Sequence, residues 1–84
     1  MNFQRGTVVR SKAGHDKGSF YAVVSLEGDS AYVADGLKKT TVEPKLKKLV
    51  HLAFTKTVLS EQTMNNDSKI QSALEPFNRA VRAD

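Results

Sequence analysis

Short apolar runs separated by turn residues occupy the first two-thirds of the chain. Residues 7–11 and 19–26 are rich in β-branched and aromatic side chains, which favours a strand in each segment. Three further strands are expected at residues 31–33, 40–42 and 49–54. Pro44 is expected to end the fourth strand, because it cannot donate a ladder hydrogen bond. Five short strands with frequent turns predict a mainly β fold, and a small barrel rather than an open sheet.

The hydrophobic period changes towards the end of the chain. Residues 55–66 are polar and irregular, and they are expected to form a linker that crosses the barrel surface. Beyond them, apolar residues recur at the spacing of one helix face: Ile70, Leu74, Phe77 and Val81. Asn66 or Asp67 is expected to cap this helix, and Pro76 is expected to kink or split it.

These patterns divide the chain into a barrel at residues 1–54, a linker at 55–66 and a helical segment at 67–84. A helix of this length is marginal in isolation, so its apolar face should pack either on the barrel or on a partner chain. Packing on the barrel predicts that deleting residues 60–84 lowers stability. Packing on a partner predicts that the barrel is equally stable without them.

The composition excludes several kinds of chemistry. The 84 residues suffice for a single core, and they include no cysteine, which excludes disulfides, thiolate metal sites and cysteine nucleophiles. Two histidines without cysteine give no zinc spacing, and no nucleophile stands beside a base. No metal site, cofactor, small-molecule substrate or enzymatic activity is therefore expected. There is no apolar run of about 20 residues and no apolar signal core, so we expect a cytoplasmic protein without membrane contact.

Positive charge is concentrated in the first part of the chain. Residues 1–56 contain ten Lys and Arg against five Asp and Glu, a balance of +5. Residues 57–84 contain three against four, a balance of −1, which leaves a net charge of +4. The first part should therefore attract polyanions, and deletion of the helical segment is expected to leave nucleic-acid binding intact.

A loop containing glycine joins the first two predicted strands. Gly14 and Gly18 allow sharp turns in which no side chain projects, and Lys17 stands at the tip as a cation able to contact phosphate. The segment GTVVRSKAGHDKGSFYAVVSL, residues 6–26, resembles a KOW motif. With the later segments ADG and PKLKK, residues 3–54 resemble the small bacterial KOW-domain RNA-binding proteins, which are similar to large-subunit ribosomal protein fourteen of archaea and eukaryotes.

The resemblance implies an SH3-like barrel of five strands that contacts RNA through its loops. It implies a non-enzymatic RNA-binding module associated with the ribosome, with ribosomal RNA as the partner and ribosomal proteins as possible neighbours. The alternative is a protein-interaction module of the translation or transcription machinery, because SH3-like barrels and KOW segments also bind proteins. A peptide groove would need a row of exposed aromatic side chains, which this sequence does not supply.

The candidate RNA-binding residues are basic side chains on and around the predicted loops: Arg10, Lys12, His15, Lys17, Lys38, Lys39, Lys45, Lys47 and Lys48. Such a set either releases counterions from RNA phosphates or only keeps the surface solvated. Gly14 and Gly18 are the residues that shape the loop between the first two strands. His51 is expected to pack in the last strand. Tyr21 is the aromatic residue best placed for exposure, although packing is favoured for all six aromatics.

Overall fold

The computed structural model describes residues 3–82, with side chains for residues 3–80, and contains an antiparallel sheet followed by two helices. The strands are β1 (Thr7–Ser11), β2 (Phe20–Glu27), β3 (Ser30–Ala34), β4 (Lys45–Lys48) and β5 (Leu52–Val58). One turn of 3₁₀ helix (Leu49–His51) joins β4 to β5, and α1 (Glu61–Met64) and α2 (Asp67–Arg82) follow. The sheet order is β4-β3-β2-β1-β5, so the last strand pairs with the first. The predicted mainly β fold of five strands and a C-terminal helix is confirmed at this level.

The fourth strand lies after Pro44 and not before it. Residues 40–42 belong to an irregular loop, because their polar groups are bonded outside any ladder. The Thr41 N–H donates to Asp67 Oδ1 at 2.9 Å, and Thr40 Oγ1 accepts a backbone N–H at 3.1 Å. The strand prediction for residues 40–42 is therefore wrong. Pro44 precedes β4, where its missing N–H removes no ladder bond.

Much of the segment expected to be a linker is regular structure. β5 continues to Val58, and α1 follows after two residues. The Thr55 hydroxyl donates to the Val8 carbonyl at 2.7 Å, which ties β5 to β1 although β5 is rich in polar residues. Ser60 caps α1 by accepting a backbone N–H at 3.2 Å. The linker prediction for residues 55–66 is wrong, because a strand at the edge of a sheet can carry polar side chains towards solvent.

The sheet is buried on both faces. The inner face holds one cluster of buried side chains: Val9, Tyr21, Val23, Ala31, Val33 and Leu52. The outer face lies under the helices and holds a second cluster: Val8, Ala22, Met64, Ile70 and Leu74. Successive residues of β1 therefore lie in different clusters, and Val8 and Val9 are both 0% exposed.

α2 packs on the outer face of the sheet through the predicted apolar stripe. Ile70 and Leu74 are buried in the outer cluster, and Phe77 packs against it from a partly buried position. The side chain of Val81, the last member of the stripe, lies outside the described residues. Asn66 is the cap, because its Oδ1 accepts the Lys69 N–H at 3.1 Å.

Pro76 does not split α2, which is one helix from Asp67 to Arg82. Pro76 is exposed, so water can reach the carbonyl that the missing N–H leaves unpaired. Leu74 and Phe77, on either side of Pro76, hold the helix against the sheet. The predicted split is wrong for this reason. Of the two described helices, neither is long and apolar enough to cross a membrane.

Candidate nucleic-acid interface

The loop between β1 and β2, residues 12–19, is here called the glycine loop. Gly14 and Gly18 have φ values of +87° and +94°, a region that favours glycine. The Gly18 N–H donates to the Ser11 carbonyl at 2.8 Å, and the Ser19 N–H donates to the Asp16 carbonyl at 2.9 Å. The two glycines therefore shape a tight loop that is held by backbone hydrogen bonds within itself and to the end of β1.

Asp16 is the centre of a hydrogen-bond network beneath the glycine loop. Its Oδ2 accepts the Tyr21 hydroxyl at 2.7 Å and the Lys45 ammonium at 3.0 Å. Its Oδ1 lies 2.9 Å from both the Lys47 ammonium and the Ser11 hydroxyl. One carboxylate thus joins the glycine loop to β2 and to β4. Asp16 is not among the predicted site residues, because its partners on β4 are about thirty residues away along the chain.

The network fixes the ionisation of Asp16 and Tyr21. Burial raises the pKa of the Asp16 carboxyl, but hydrogen bonds from Tyr21, Lys47, Lys45 and Ser11 outweigh that effect and hold the pKa well below its usual range. Burial, the hydrogen bond to Asp16 and the charges of nearby carboxylates raise the pKa of Tyr21 above its usual range. Asp16 is therefore charged and Tyr21 neutral throughout the physiological range.

Lys47 is not available to RNA phosphate. Its side chain is only 8% exposed. Its ammonium forms an ion pair with Asp16 and donates hydrogen bonds to Ser11 Oγ and the Ala13 carbonyl. Its position on β4, opposite the buried Ala31, directs the side chain inwards. We remove Lys47 from the candidate interface and assign it to the support of the glycine loop. Lys45 shares this role but keeps a 38% exposed side chain.

Four of the predicted RNA-binding residues line one groove: His15, Lys38, Lys39 and Lys45. This groove, of about 540 Å³, lies between the glycine loop, the 35–39 loop and α2, and we call it the loop groove. Phe20 and Leu37 supply apolar wall, and Gln71, Glu75 and Asn78 of α2 form the opposite side. The structure therefore brings together basic residues from three separate segments of the sequence.

The other predicted cations lie outside the loop groove. Arg10 and Lys12 are exposed. Lys17 is exposed in the glycine loop, and Lys48 is exposed at the end of β4. The Lys12 N–H donates to the His51 carbonyl at 2.8 Å, and His51 is exposed in the 3₁₀ turn. The prediction that His51 packs in the last strand is wrong, because that strand begins one residue later.

The loop that carries Lys38 and Lys39 is held against the N-terminal end of α2. Asp35 Oδ1 accepts the N–H groups of Leu37 and Lys39 at 2.9 and 3.0 Å, which closes the loop on itself. The Thr41–Asp67 hydrogen bond described above ties the end of this segment to α2. Gly36 has a φ of +81°, and an added Cβ would clash with the Asp67 carbonyl and lie 2.8 Å from the Gln71 nitrogen.

The clash at Gly36 gives a test of this anchoring. We expect Gly36→Ala to lower the free energy of unfolding by about 3 kcal/mol, since it combines a left-handed backbone with a contact that backbone atoms cannot relieve. Gly28→Ala is the matched control, because Gly28 also has a positive φ of +59° but its added Cβ would meet nothing within 4 Å. The control should cost only about 1 kcal/mol. Urea denaturation measures both, and equal losses would contradict a close contact at Gly36.

Most aromatic side chains are core residues and not a surface platform. Tyr21 is 6% exposed in the inner cluster, so the expectation that it is the best placed for exposure is wrong. Phe20 packs on Phe77 with ring centroids 5.2 Å apart. Phe54 is 47% exposed but packs edge-on against Phe3 at 5.4 Å. Among the described aromatic residues, Phe20 and Tyr21 line the loop groove.

Comparison with known proteins adds no assignment to this geometry. Within residues 3–82, no group of three or more His, Cys, Asp or Glu is placed to hold a metal ion. No protein-family model matches the sequence, and no curated protein matches it significantly. A function is therefore inferred from the residues and contacts described above.

Proposed function

We propose that the chain is a non-enzymatic RNA-binding module of the KOW type with an SH3-like barrel, cytoplasmic and associated with the ribosome. The observation that supports this most is that some charged residues near the glycine loop are paired within the protein, whereas others face solvent. Asp16 is covered by protein donors, whereas Lys38 and Lys39 are exposed and make no ion pair with a described residue. A surface with lysines on ordered loops that are not held in ion pairs suits the phosphates of a structured RNA such as ribosomal RNA.

The sheet and the glycine loop are compatible with the KOW assignment. β1 and β2 are antiparallel neighbours, and the glycine loop that joins them has the positive φ values that its glycines allow. β1 also pairs with β5, and the inner cluster contains residues of β1, β2, β3 and β5. These features support an SH3-like barrel, and its loops present Lys17, Lys38 and Lys39 to solvent.

Binding to RNA should depend steeply on salt. About four phosphate contacts predict that log K falls with log salt at a slope of roughly −3 to −4. The double variant Lys38→Ala/Lys39→Ala should reduce the magnitude of this slope by about 1.5, because each phosphate contact contributes about 0.7 to 0.9. Filter binding to a ribosomal RNA fragment between low and physiological salt measures the slope.

A matched double variant separates a local interface from general charge attraction. Lys56→Ala/Lys69→Ala removes the same charge from exposed lysines on β5 and α2, outside the loop groove. We expect its slope to stay close to that of the wild-type protein. If both double variants change the slope equally, the loops are not the binding surface. A flat salt response of the wild-type protein would contradict RNA binding through cations altogether.

Exposed apolar residues near one edge of the sheet favour the second candidate, a protein-interaction module. β4 is an edge strand, and exposed apolar side chains occur before it, within it and after it at Val42, Leu46 and Val50. Val42 is 86% exposed. A protein partner at this edge would require these residues and not Lys38 or Lys39. A Val50→Ser variant that loses ribosome association while keeping the affinity for isolated RNA would support this candidate.

A further inference from the structure

The loop groove has three features that simple contact with an RNA backbone does not require. Its volume of about 540 Å³ falls in the range of sites for small organic groups, about 300 to 1,000 Å³. It has apolar wall at Phe20 and Leu37, and it has hydrogen-bonding groups on α2 at Gln71 and Glu75. A phosphate chain running over a flat basic surface would use none of these. The groove therefore suits a ligand with a negative end and a flat, hydrogen-bonding body.

The charges of the groove are arranged asymmetrically. Asp16 is neutralised by Lys45 and Lys47, and Glu75 pairs with Arg79 at 3.3 Å. Lys38 and Lys39 are exposed and make no ion pair with a described residue. The 35–39 loop carries these two lysines against one carboxylate, Asp35, so its balance is +1 and an anion would be held there.

Asp35 can accept a hydrogen bond from a donor group of the ligand. Its Oδ1 accepts two backbone N–H groups of the 35–39 loop, whereas its Oδ2 makes no hydrogen bond to a described residue. A carboxylate oxygen accepts readily from the exocyclic amine of a nucleobase. Leu37, 63% exposed at the tip of the same loop, offers an apolar surface beside it.

We propose that the loop groove binds one unpaired nucleotide of the RNA, with its phosphate at Lys38 and Lys39 and its base between Leu37 and Phe20. This inference rests on the proposed RNA-binding function and names the part of the RNA that the site selects. An unpaired base exposes both its faces and its hydrogen-bonding edge, which a base within a duplex cannot offer to such a groove. The exposed positions of Leu37, Lys38, Lys39 and Gln71 leave the groove open for entry, so the neighbouring nucleotides can stay outside.

The test compares two RNA hairpins that differ by one bulged adenosine. The fully paired hairpin should bind wild-type protein through phosphate contacts, and the bulged hairpin should bind about tenfold more tightly, since stacking of one base contributes a factor of this order. Gln71→Glu adds a negative charge to the α2 wall and should reduce the preference to less than twofold. Gln62→Glu, the same change at an exposed position of α1 outside the groove, should keep the full preference.

A second variant shows whether the preference for the bulge depends on the shape of the groove as well as on its charge. Leu37→Ala removes exposed apolar wall and no charge, and it should also lose most of the preference for the bulge while binding the paired hairpin as the wild-type protein does. Dissociation constants for both hairpins, measured at one salt concentration, provide the comparison.

The possible outcomes separate the subsite from RNA binding itself. Equal affinity of wild-type protein for the two hairpins overturns the nucleotide subsite and leaves RNA binding in place. A Gln71→Glu variant that weakens both hairpins by the same factor also overturns it, because the groove would then lie on the path of duplex phosphates. If free adenosine monophosphate binds as tightly as the bulged hairpin, the groove is a free-nucleotide site and the assignment to RNA falls. If neither hairpin binds, both proposals fail.

Discussion

Deleting residues 60–84 is expected to unfold the remaining sheet at 25 °C. Met64, Ile70 and Leu74 are at most 1% exposed, and they cover Val8 and Ala22, which are both 0% exposed. Removing one buried Leu, Ile or Met side chain costs about 2 to 5 kcal/mol. Loss of three such side chains, about 6 to 15 kcal/mol, is therefore comparable with the whole stability of a domain of this size, about 4 to 13 kcal/mol. Far-ultraviolet circular dichroism and thermal melting of the truncated chain provide the measurement.

Point variants on α2 keep this prediction testable when the truncated chain fails to express. Leu74→Ala should lower the free energy of unfolding by about 3 kcal/mol, because its side chain is buried in the outer cluster. Arg79→Ala, on the exposed side of the same helix, should change it by less than about 0.5 kcal/mol, since its ion pair with Glu75 is largely solvated. A truncated chain with an unchanged melting temperature would show that α2 does not stabilise the sheet.

The same contacts revise the expectation that RNA binding survives the deletion. The charge count predicts this survival, because residues 57–84 carry a balance of −1. In the structure, however, Asp67 bonds Thr41 and the backbone of α2 lies against Gly36, so the helix holds the loop that carries Lys38 and Lys39. The two lysines would lose their fixed position without α2. RNA affinity should therefore fall together with stability.

The strands and the final helix were predictable where the local pattern is strong. Residues 7–11 match β1, and 19–26 match β2 to within one residue, because β-branched and aromatic residues there have no competing turn signal. Apolar and polar residues do not alternate at Val8 and Val9, because both faces of the sheet are buried. Val8 lies in the outer cluster under α2, and Val9 lies in the inner cluster. The stripe around Ile70 and Leu74 identified α2 and its buried face.

The errors of prediction occur where distant residues decide the local structure. Residues 40–42 have the β-branched composition of a strand, but Asp67 takes the N–H group of Thr41. The basic run at residues 45–48 gave no sign that Lys47 points inwards, because its partner Asp16 is remote in sequence. The loop groove was likewise hidden, because its walls come from three segments that only the tertiary fold brings together.

Replacing Asp16 by Asn is expected to lower the free energy of unfolding by about 2 to 4 kcal/mol at pH 7. The substitution leaves the 8% exposed Lys47 without its counter-charge, and the loss of one partner from a buried ion pair is much more costly than the loss of a surface pair. Asp29→Asn is the matched control, because Asp29 is an exposed residue in the β2–β3 turn. We expect that control to change stability by less than about 0.5 kcal/mol.

The cost of Asp16→Asn should depend on pH in one direction. Because the folded protein holds the pKa of Asp16 below its unfolded value of about 4, the ionised carboxylate stabilises the fold above that pH and loses this effect as the carboxylate is protonated. The stability difference between wild type and Asp16→Asn should thus be constant from pH 7 to about 5. It should shrink steadily towards pH 2, as protonation makes the wild-type side chain resemble the neutral amide. Urea denaturation at a series of pH values measures the difference, and a gap that stays constant down to pH 2 would show that the carboxylate charge does not hold the glycine loop.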